Sequence, residues 1–228
     1  MSIAQKLQDI LDCKDAIKTA IAGKGGTITD ATPLADYATA IDNLPSGGDI
    51  GALIDNTISG HFDIPSGTRK VAANKFSNCN QLTSIGIPDS VISIDTAAFY
   101  LCTALGDDFI ANYVTTVGQN GVRHTKITSL HLPRIVTIGT ESFNNNSLLV
   151  DVFLGESITS IGWQCFGGSR NAIFRIMATT PPTLSTGFVP ANYLGKIYVP
   201  DASVNDYKTA SNWSAWASFI YPLSDYTP

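Results

Sequence analysis

Cysteines and histidines are the residues of this chain that could support metal or redox chemistry. Neither Cys79 nor Cys102 belongs to a C-x-x-C pair or has a histidine partner nearby in the sequence, whereas a metal or redox site needs close thiolates together with further ligands. The histidines show neither H-x-x-x-H nor H-E-x-x-H spacing: His61, His124 and His131. We therefore expect no metal site and no cofactor.

The remaining motifs that could serve catalysis are also incomplete. The glycine-rich segment 23–26 contains a lysine but lacks the G-x-x-x-x-G-K-[ST] frame of a phosphate-binding loop, and no G-x-S-x-G nucleophile elbow occurs. A glycosidase needs two carboxylates poised across a cleft. The candidate acids lie on repeat loops or strand faces, where acids are normally solvated, and this is a simpler interpretation than catalysis: Asp107, Asp108, Asp151 and Glu156. The sequence thus predicts a protein that is not an enzyme and has no catalytic residues.

Composition excludes two further classes of partner. Charged residues make up 14% of the chain, against about 25% in an ordinary soluble domain, and the net charge of −5 comes with no basic stripe. We therefore expect no nucleic-acid partner. No stretch approaches the ~20 apolar residues that span a bilayer, so we expect no membrane insertion. The first residues lack the basic and apolar regions of a secretory signal. This predicts that the chain stays in its cell, leaves by lysis or assembly, or has been trimmed.

A repeat of about 23 residues, a period typical of stacked repeat units, runs from about position 58 to position 176. Its anchors recur once in each unit, with one shorter step after the third: Phe76, Phe99, Val122, Phe143 and Phe166. Self-similarity at this spacing predicts a solenoid, in which each unit buries its apolar face against its neighbours. Cys79 and Cys102 are one repeat apart and fall in one column of this solenoid, for which we predict a structural role. The same column continues with Thr125, Asn146 and Ser169.

Each unit contains one segment that reads as a strand. The segment Leu82–Ile87 follows the L-x-x-L-x-L template of a leucine-rich-repeat strand. Strand alternation places Ile85 and Ile87 inside the coil and Ser84 and Gly86 outside. The proline that follows ends the strand, because it has no N–H to donate. The sequence therefore predicts a β-rich coil.

This pattern resembles the BspA-like (treponemal-type) leucine-rich repeat family over about half of the chain. The resemblance is carried by the segment Leu82–Ile94 and by the spaced residues Phe99, Cys102 and Leu105. A further set looks like the C-terminal cap of such arrays in proteins of gut bacteria and their phages: 181–184, 195–200, Val204, Tyr207, Lys208, Asn212 and Trp213. The resemblance implies an irregular leucine-rich solenoid over 58–177 and a cap over 178–228, into which we expect Trp213 and Trp216 to pack.

Two departures from the family pattern predict an irregular coil near the middle of the array. Asp108 stands where an apolar strand residue is expected, and the third unit is shorter than the others.

Residues 1–45 are predicted to form a separate helical module, which a linker at 46–57 joins to the repeats. The first helix carries an apolar seam: Ile3, Leu7, Ile10, Ile17 and Ile21. Either a second helix folds back on this seam, or the seam joins copies of the chain in a homo-oligomer. Residues 16–25 and 33–41 resemble a small module of phage tail and virion proteins, which implies assembly into or docking onto a particle.

The outward strand positions define a candidate binding surface. One predicted column contains Ser84, Asp107, Ser129 and Asp151, and the other contains Gly86, Phe109, His131 and Phe153. Solvent-facing strand positions are normally polar, so the second column predicts an aromatic strip, flanked by the acids of the first. Such a strip suits binding to a protein or a glycan. The alternative is that another segment or subunit covers it. Trp163 is a further candidate for partner contact, because the matching repeat positions hold small residues.

Together these resemblances imply a non-enzymatic phage virion structural protein, a tail or capsid fibre component. Its helices would oligomerise or dock on the particle, and its repeats would display the recognition surface. The expected partners are virion proteins, or a protein or glycan on the host surface, and the expected location is the virion. The alternative is a bacterial cell-surface adhesin with the same repeats, which would need an export signal.

Overall fold

The computed structural model describes residues 58–227, which form a parallel β-solenoid of about seven turns with a period of about 23 residues. One strand of each turn is longer than the other. The longer strands are β1 (Ser59–Asp63), β3 (Gln81–Gly86), β5 (Asp108–Ile110), β7 (Ser129–Leu132), β9 (Asp151–Leu154), β11 (Ile173–Ile176) and β13 (Lys196–Val199). The last strand of the chain, β14 (Ile220–Pro222), pairs with β13. The short strands are β2 (Lys70–Val71), β4 (Ser93–Ile94), β6 (Thr116–Val117), β8 (Thr137–Ile138), β10 (Ser160–Ile161) and β12 (Thr183–Leu184).

These strands assemble into parallel sheets that run along the solenoid. The long-strand sheet has the order β14-β13-β11-β9-β7-β5, and β1 pairs with β3 in a separate two-stranded sheet. The short-strand sheet has the order β12-β10-β8-β6-β4-β2. The residues between each short strand and the next long strand form a third face, here called the turn face. The fold therefore confirms the predicted solenoid.

The aromatic anchors lie inside the coil, one above the other, next to the turn face. Phe76 and Phe99 stack with ring centroids 5.1 Å apart, and Phe143 and Phe166 stack at 5.3 Å. The four rings and Val122 between them are fully buried. Vertical registry of the anchors is what the constant repeat length predicts, because each coil can shield its apolar interior only with the coils above and below it.

Backbone hydrogen bonds hold neighbouring turns together on the turn face. The N–H of Phe99 donates to the carbonyl of Gly121 at 2.7 Å, and the N–H of Val122 donates to Ser142 at 2.8 Å. One turn position recurs with a left-handed backbone in successive coils. Its φ values lie between 46° and 70°: Asn74, Ala97, Asn120, Glu141, Gln164 and Gly187.

The column of small residues binds backbone carbonyls, as predicted for a structural column. The Cys102 thiol donates to the carbonyl of Phe76 at 2.9 Å, and the Asn146 amide donates to that of Val122 at 2.8 Å. Burial, and then the neighbouring Cys79, raises the pKa of Cys102 to about 12. A thiol with so high a pKa is poorly suited to redox or metal chemistry.

The long-strand sheet is interrupted between β3 and β5, where the sequence predicted irregularity. Leu105 and Phe109 are four residues apart, whereas the equivalent Ile127 and Leu130 are three apart. The extra residue is Asp107, whose left-handed backbone (φ 59°) takes up the additional length. This insertion shifts the register by one residue at the start of β5.

The repeat continues past the point where its sequence pattern fades. Strands β12, β13 and β14 extend the two longer sheets, and Phe188 adds a buried anchor one coil after Phe166. A short helix α1 (Val204–Thr209) and three 3-10 turns follow: Asp201–Ser203, Ser214–Phe219 and Leu223–Asp225.

Side chains of these last elements bind carbonyls of the final coil. Trp213 is fully buried, and its indole N–H donates to Pro182 at 2.8 Å, as expected of a residue that fills the C-terminal end. The Tyr207 hydroxyl donates to Ala178 at 2.9 Å, and Trp216 is half-buried. The domain boundaries at 45, 57 and 177 stay predictions.

Candidate recognition surface

Strand register places one side chain from each coil in a single outward-facing column on the long-strand sheet. Ile110 aligns with His131, and His131 aligns with Phe153. The same alignment continues through three further strands to Arg175, Tyr198 and Tyr221. We call these six residues the outer column.

The middle of the outer column is a stack of planar groups. The rings of His131 and Phe153 lie 4.7 Å apart with an interplanar angle of 17°. The Arg175 guanidinium carbon lies 5.4 Å from the Phe153 ring centre, and its Nη2 donates to both carboxylate oxygens of Asp151 at 2.7 and 2.9 Å. This spacing follows from the strands themselves, which lie about 4.8 Å apart.

The chain's own C-terminal segment covers the far end of the column. The Tyr226 ring packs edge-on against Tyr198 at 5.2 Å and lies 5.0 Å from the Arg175 guanidinium carbon. As a result Tyr198 is 5% exposed. The segment is held by a hydrogen bond from the Ser224 N–H to the Asp201 carboxylate at 3.0 Å. Hydrogen bonds from Ser224 also lower the pKa of Asp201.

The near end of the column stays accessible to solvent. Ile110 is 49% exposed, and His131 and Phe153 are half-buried. Val150, immediately before β9, is 51% exposed. The far end, which the C-terminal segment covers, lies beyond the predicted aromatic strip. The near end, which includes His131 and Phe153 of that strip, presents apolar and aromatic atoms to solvent.

Two predicted members of the surface lie elsewhere, because of the one-residue shift at Asp107. Phe109 aligns with the buried Leu130, is 1% exposed and packs edge-on against Phe99 at 5.8 Å, so its prediction as a surface residue is wrong. Asp107 precedes β5 and is not an outward strand residue. Asp108 takes the place in the acidic column predicted for Asp107, aligned with Ser129.

Acids do flank the outer column, but neighbouring side chains bind them. The Ser129 hydroxyl donates to Asp108, and Asp151 pairs with Arg175. Ser84 lies on β3 in the separate sheet, where it forms a 2.8 Å hydrogen bond with His61. Arg175 thus neutralises the charge of Asp151, whereas Asp108 keeps its charge and is held by a hydroxyl.

Trp163 lies on the turn face, away from the outer column, and is 43% exposed. The proposed oligomerisation residues lie outside the described residues: Ile3, Leu7, Ile10, Ile17 and Ile21. In residues 58–227, no group of three or more His, Cys, Asp or Glu side chains could hold a metal ion. No helix in the same span is long and apolar enough to cross a membrane.

Sequence reasoning missed four members of the outer column: Ile110, Arg175, Tyr198 and Tyr221. Two signals could have found the first two. The longer spacing before Phe109 marks the inserted residue, and the apolar alternation of Ile173–Ile176 continues the strand pattern to Arg175.

The match to a protein family agrees with this geometry. The family described as BspA type leucine rich repeat region matches residues 61–181 in six copies. No curated protein matches the chain. A leucine-rich repeat protein from Bacteroides ovatus is similar, with 23% identity and a TM-score of 0.45, over 64% of this chain and 41% of that one. A leucine rich cell surface protein from Faecalibacterium prausnitzii shows 19% identity and a TM-score of 0.31, over 72% of this chain and 62% of that one.

The chain thus spans less than two thirds of either solved protein. The family match covers more than half of the chain, and its six copies fall on the stacked coils. The chain belongs to the BspA-type leucine-rich repeat family.

Proposed function

We propose that this chain is a non-enzymatic recognition protein, which binds its partner through the accessible end of the outer column. One observation carries the proposal: Ile110, His131 and Phe153 align on a sheet face that faces solvent. Outward strand positions are normally polar, and contiguous exposed apolar patches mark interaction sites.

The orientation of the rings favours a protein partner over a glycan at this surface. Because His131 and Phe153 stack on each other at 4.7 Å, each covers a face of the other. Their edges therefore point outward, and aromatic edges carry partial positive charge. Ring edges suit carbonyl oxygens and apolar side chains, whereas a sugar ring packs on an exposed aromatic face.

We propose the virion as the site of this recognition, with the chain as a tail or capsid fibre component. The resemblance of residues 1–45 to a module of phage tail proteins supports this location, and their apolar seam would oligomerise or dock on virion proteins. The alternative is a bacterial cell-surface adhesin, which the repeat family itself supports. Phage structural genes beside the coding gene favour the first location, and an export signal encoded upstream favours the second.

Binding of the labelled full-length chain to intact gut bacteria and to a cultured epithelial line tests the recognition surface. Phe153→Ser should weaken binding markedly, since it removes the centre of the exposed stack. Leu194→Ser is the matched control, because Leu194 is 63% exposed and lies outside the outer column. Circular dichroism confirms that both variants fold. Equal binding by the two variants would exclude the outer column as the recognition surface.

A further inference from the structure

A groove opens on the turn face of the solenoid, separate from the outer column. Its volume is about 420 Å³, within the range of roughly 300–1,000 Å³ that is usual for small-molecule sites. The side chains that line it are mainly amides and one ion pair: Arg123, Glu141, Asn144, Asn145 and Gln164. Two glycines and three apolar residues complete its wall: Gly167, Gly187, Val189, Pro190 and Ala191.

The groove exists because two turn columns lose their side chains near the C-terminal end. One column passes from Glu141 and Gln164 to Gly187, and another passes from Asn144 to Gly167. In earlier coils these positions carry side chains that cover the turn. Gly167 makes room for the Asn144 side chain, which a Cβ there would approach to 3.1 Å, and Gly187 leaves space above Gln164. Polar groups that would otherwise be covered therefore line a concave surface.

A hydrogen-bond network fixes the polar groups of the groove. The Glu141 carboxylate accepts from Arg123 Nη1 at 2.9 Å and from Asn144 Nδ2 at 3.1 Å. The Gln164 carbonyl accepts from Asn144 Nδ2 at 3.4 Å. Asn144 is 6% exposed, and both members of the ion pair are mostly buried. These planar groups are therefore held in place before any ligand arrives.

The groove carries little net charge. Arg123 and Glu141 neutralise each other, and Asn145 shares a 3.2 Å hydrogen bond with His124. Burial, and then the charge of Arg123, lowers the pKa of His124. The imidazole is therefore mostly neutral at pH 7. A phosphate or carboxylate ligand would find no uncompensated cation among the side chains of this network.

An exposed aromatic ring borders the same groove. The indole nitrogen of Trp163 lies 3.9 Å from the position that a Cβ would take at Gly187, and Trp163 is 43% exposed. Gly187, in the coil above, has no side chain to cover the indole nitrogen from this side.

We propose that this groove binds a neutral sugar unit of a glycan. Side-chain amides offer a donor and an acceptor in one plane, which matches neighbouring sugar hydroxyls that both donate and accept. Trp163 supplies the apolar surface against which the C–H groups of a sugar ring pack. The chain thus combines a protein-binding sheet with a second, glycan-binding site on another face.

A glycan array of neutral and acidic oligosaccharides, probed with the full-length chain, tests the proposal. We expect binding to neutral oligosaccharides, with affinity then measured by titration calorimetry. The blocking variant is Gly187→Asn. Asparagine occupies the same turn position at Asn74 and Asn120, with φ of 60° and 56°, so the backbone accepts it while the new side chain fills the groove.

Gly187→Asn and Trp163→Ala should each weaken binding of the neutral oligosaccharide at least tenfold. Phe153→Ser should leave it unchanged, which separates this site from the recognition surface. Unchanged affinity in Gly187→Asn would overturn the proposal. So would an array that shows binding to acidic glycans only, or to none.

Discussion

The register of β5 can be tested by comparing two phenylalanines that the repeat pattern places in one column. Phe109 is 1% exposed and packs against Phe99, whereas Phe153 is half-buried on the sheet's outer face. Phe109→Ala removes a full core side chain and leaves a cavity, which should lower the free energy of unfolding by about 3–5 kcal/mol. Phe153→Ala loses a ring stack and a guanidinium contact, so its cost should be about 1–2 kcal/mol.

Guanidinium unfolding followed by far-ultraviolet circular dichroism measures this difference, and thermal unfolding checks it. For a chain of this size, 1 kcal/mol corresponds to a shift of about 2–4 °C in Tm. Phe109→Ala should thus lower Tm by roughly 6–20 °C, and Phe153→Ala by no more than about 8 °C. A smaller effect for Phe109→Ala than for Phe153→Ala would show that Phe109 faces solvent, and that Asp107 does not shift the register.

Three further substitutions or treatments test the packing of the coils. Gly162→Ala should lower the free energy of unfolding by about 1–3 kcal/mol, because its Cβ would lie 2.5 Å from backbone atoms of the preceding coil; Gly106→Ala, with its nearest atoms at 3.8 Å, is the control. Ala97→Gly, at φ 56°, should raise the unfolding free energy by about 0.5–1 kcal/mol as left-handed strain is released. Ala98→Gly, at a buried neighbour, should lower it. The pKa of about 12 leaves only about one Cys102 in 10⁴ as thiolate at pH 8. Iodoacetamide should therefore label Cys102 only in guanidinium, as mapped by mass spectrometry; labelling in the folded state would contradict its burial.

The architecture could be predicted from the sequence because the solenoid repeats its own pattern. Phe76, Phe99, Phe143 and Phe166 recur with the aliphatic strand residues, and each coil meets only its neighbours, so the period alone sets the stacking. The end of the array was harder to find. The pattern weakens at Pro181 and Pro182, although the backbone continues into β12 and reaches Phe188.

The candidate surface was predicted only in part, for two physical reasons. A strand alternates its faces with a period of two, so the single extra residue at Asp107 exchanges the roles of Phe109 and Ile110. Aspartate tolerates a left-handed backbone but does not require one, so its identity alone does not reveal the insertion. The contact between Tyr226 and Tyr198 joins residues brought together by the last coil, and no local pattern encodes it.

Alignment of the repeat columns could have predicted the turn-face groove, but only from the positions that lack a side chain. Gly167 and Gly187 stand where earlier coils carry larger side chains. A search for residues with chemical groups passes over such positions, because a glycine contributes a cavity and not a functional group. Trp163, which the sequence did single out, borders the space that these glycines leave.

Because every strand pair in the solenoid is parallel and joins successive coils, the molecule has a definite response to mechanical load. A pull on both ends of the chain can peel one terminal coil without disturbing contacts deeper in the stack. Each coil of about 23 residues that detaches lengthens the tether by roughly 80 Å. A protein attached to a surface in flowing liquid could in this way extend in steps and lower the force on its attachment before the attachment breaks.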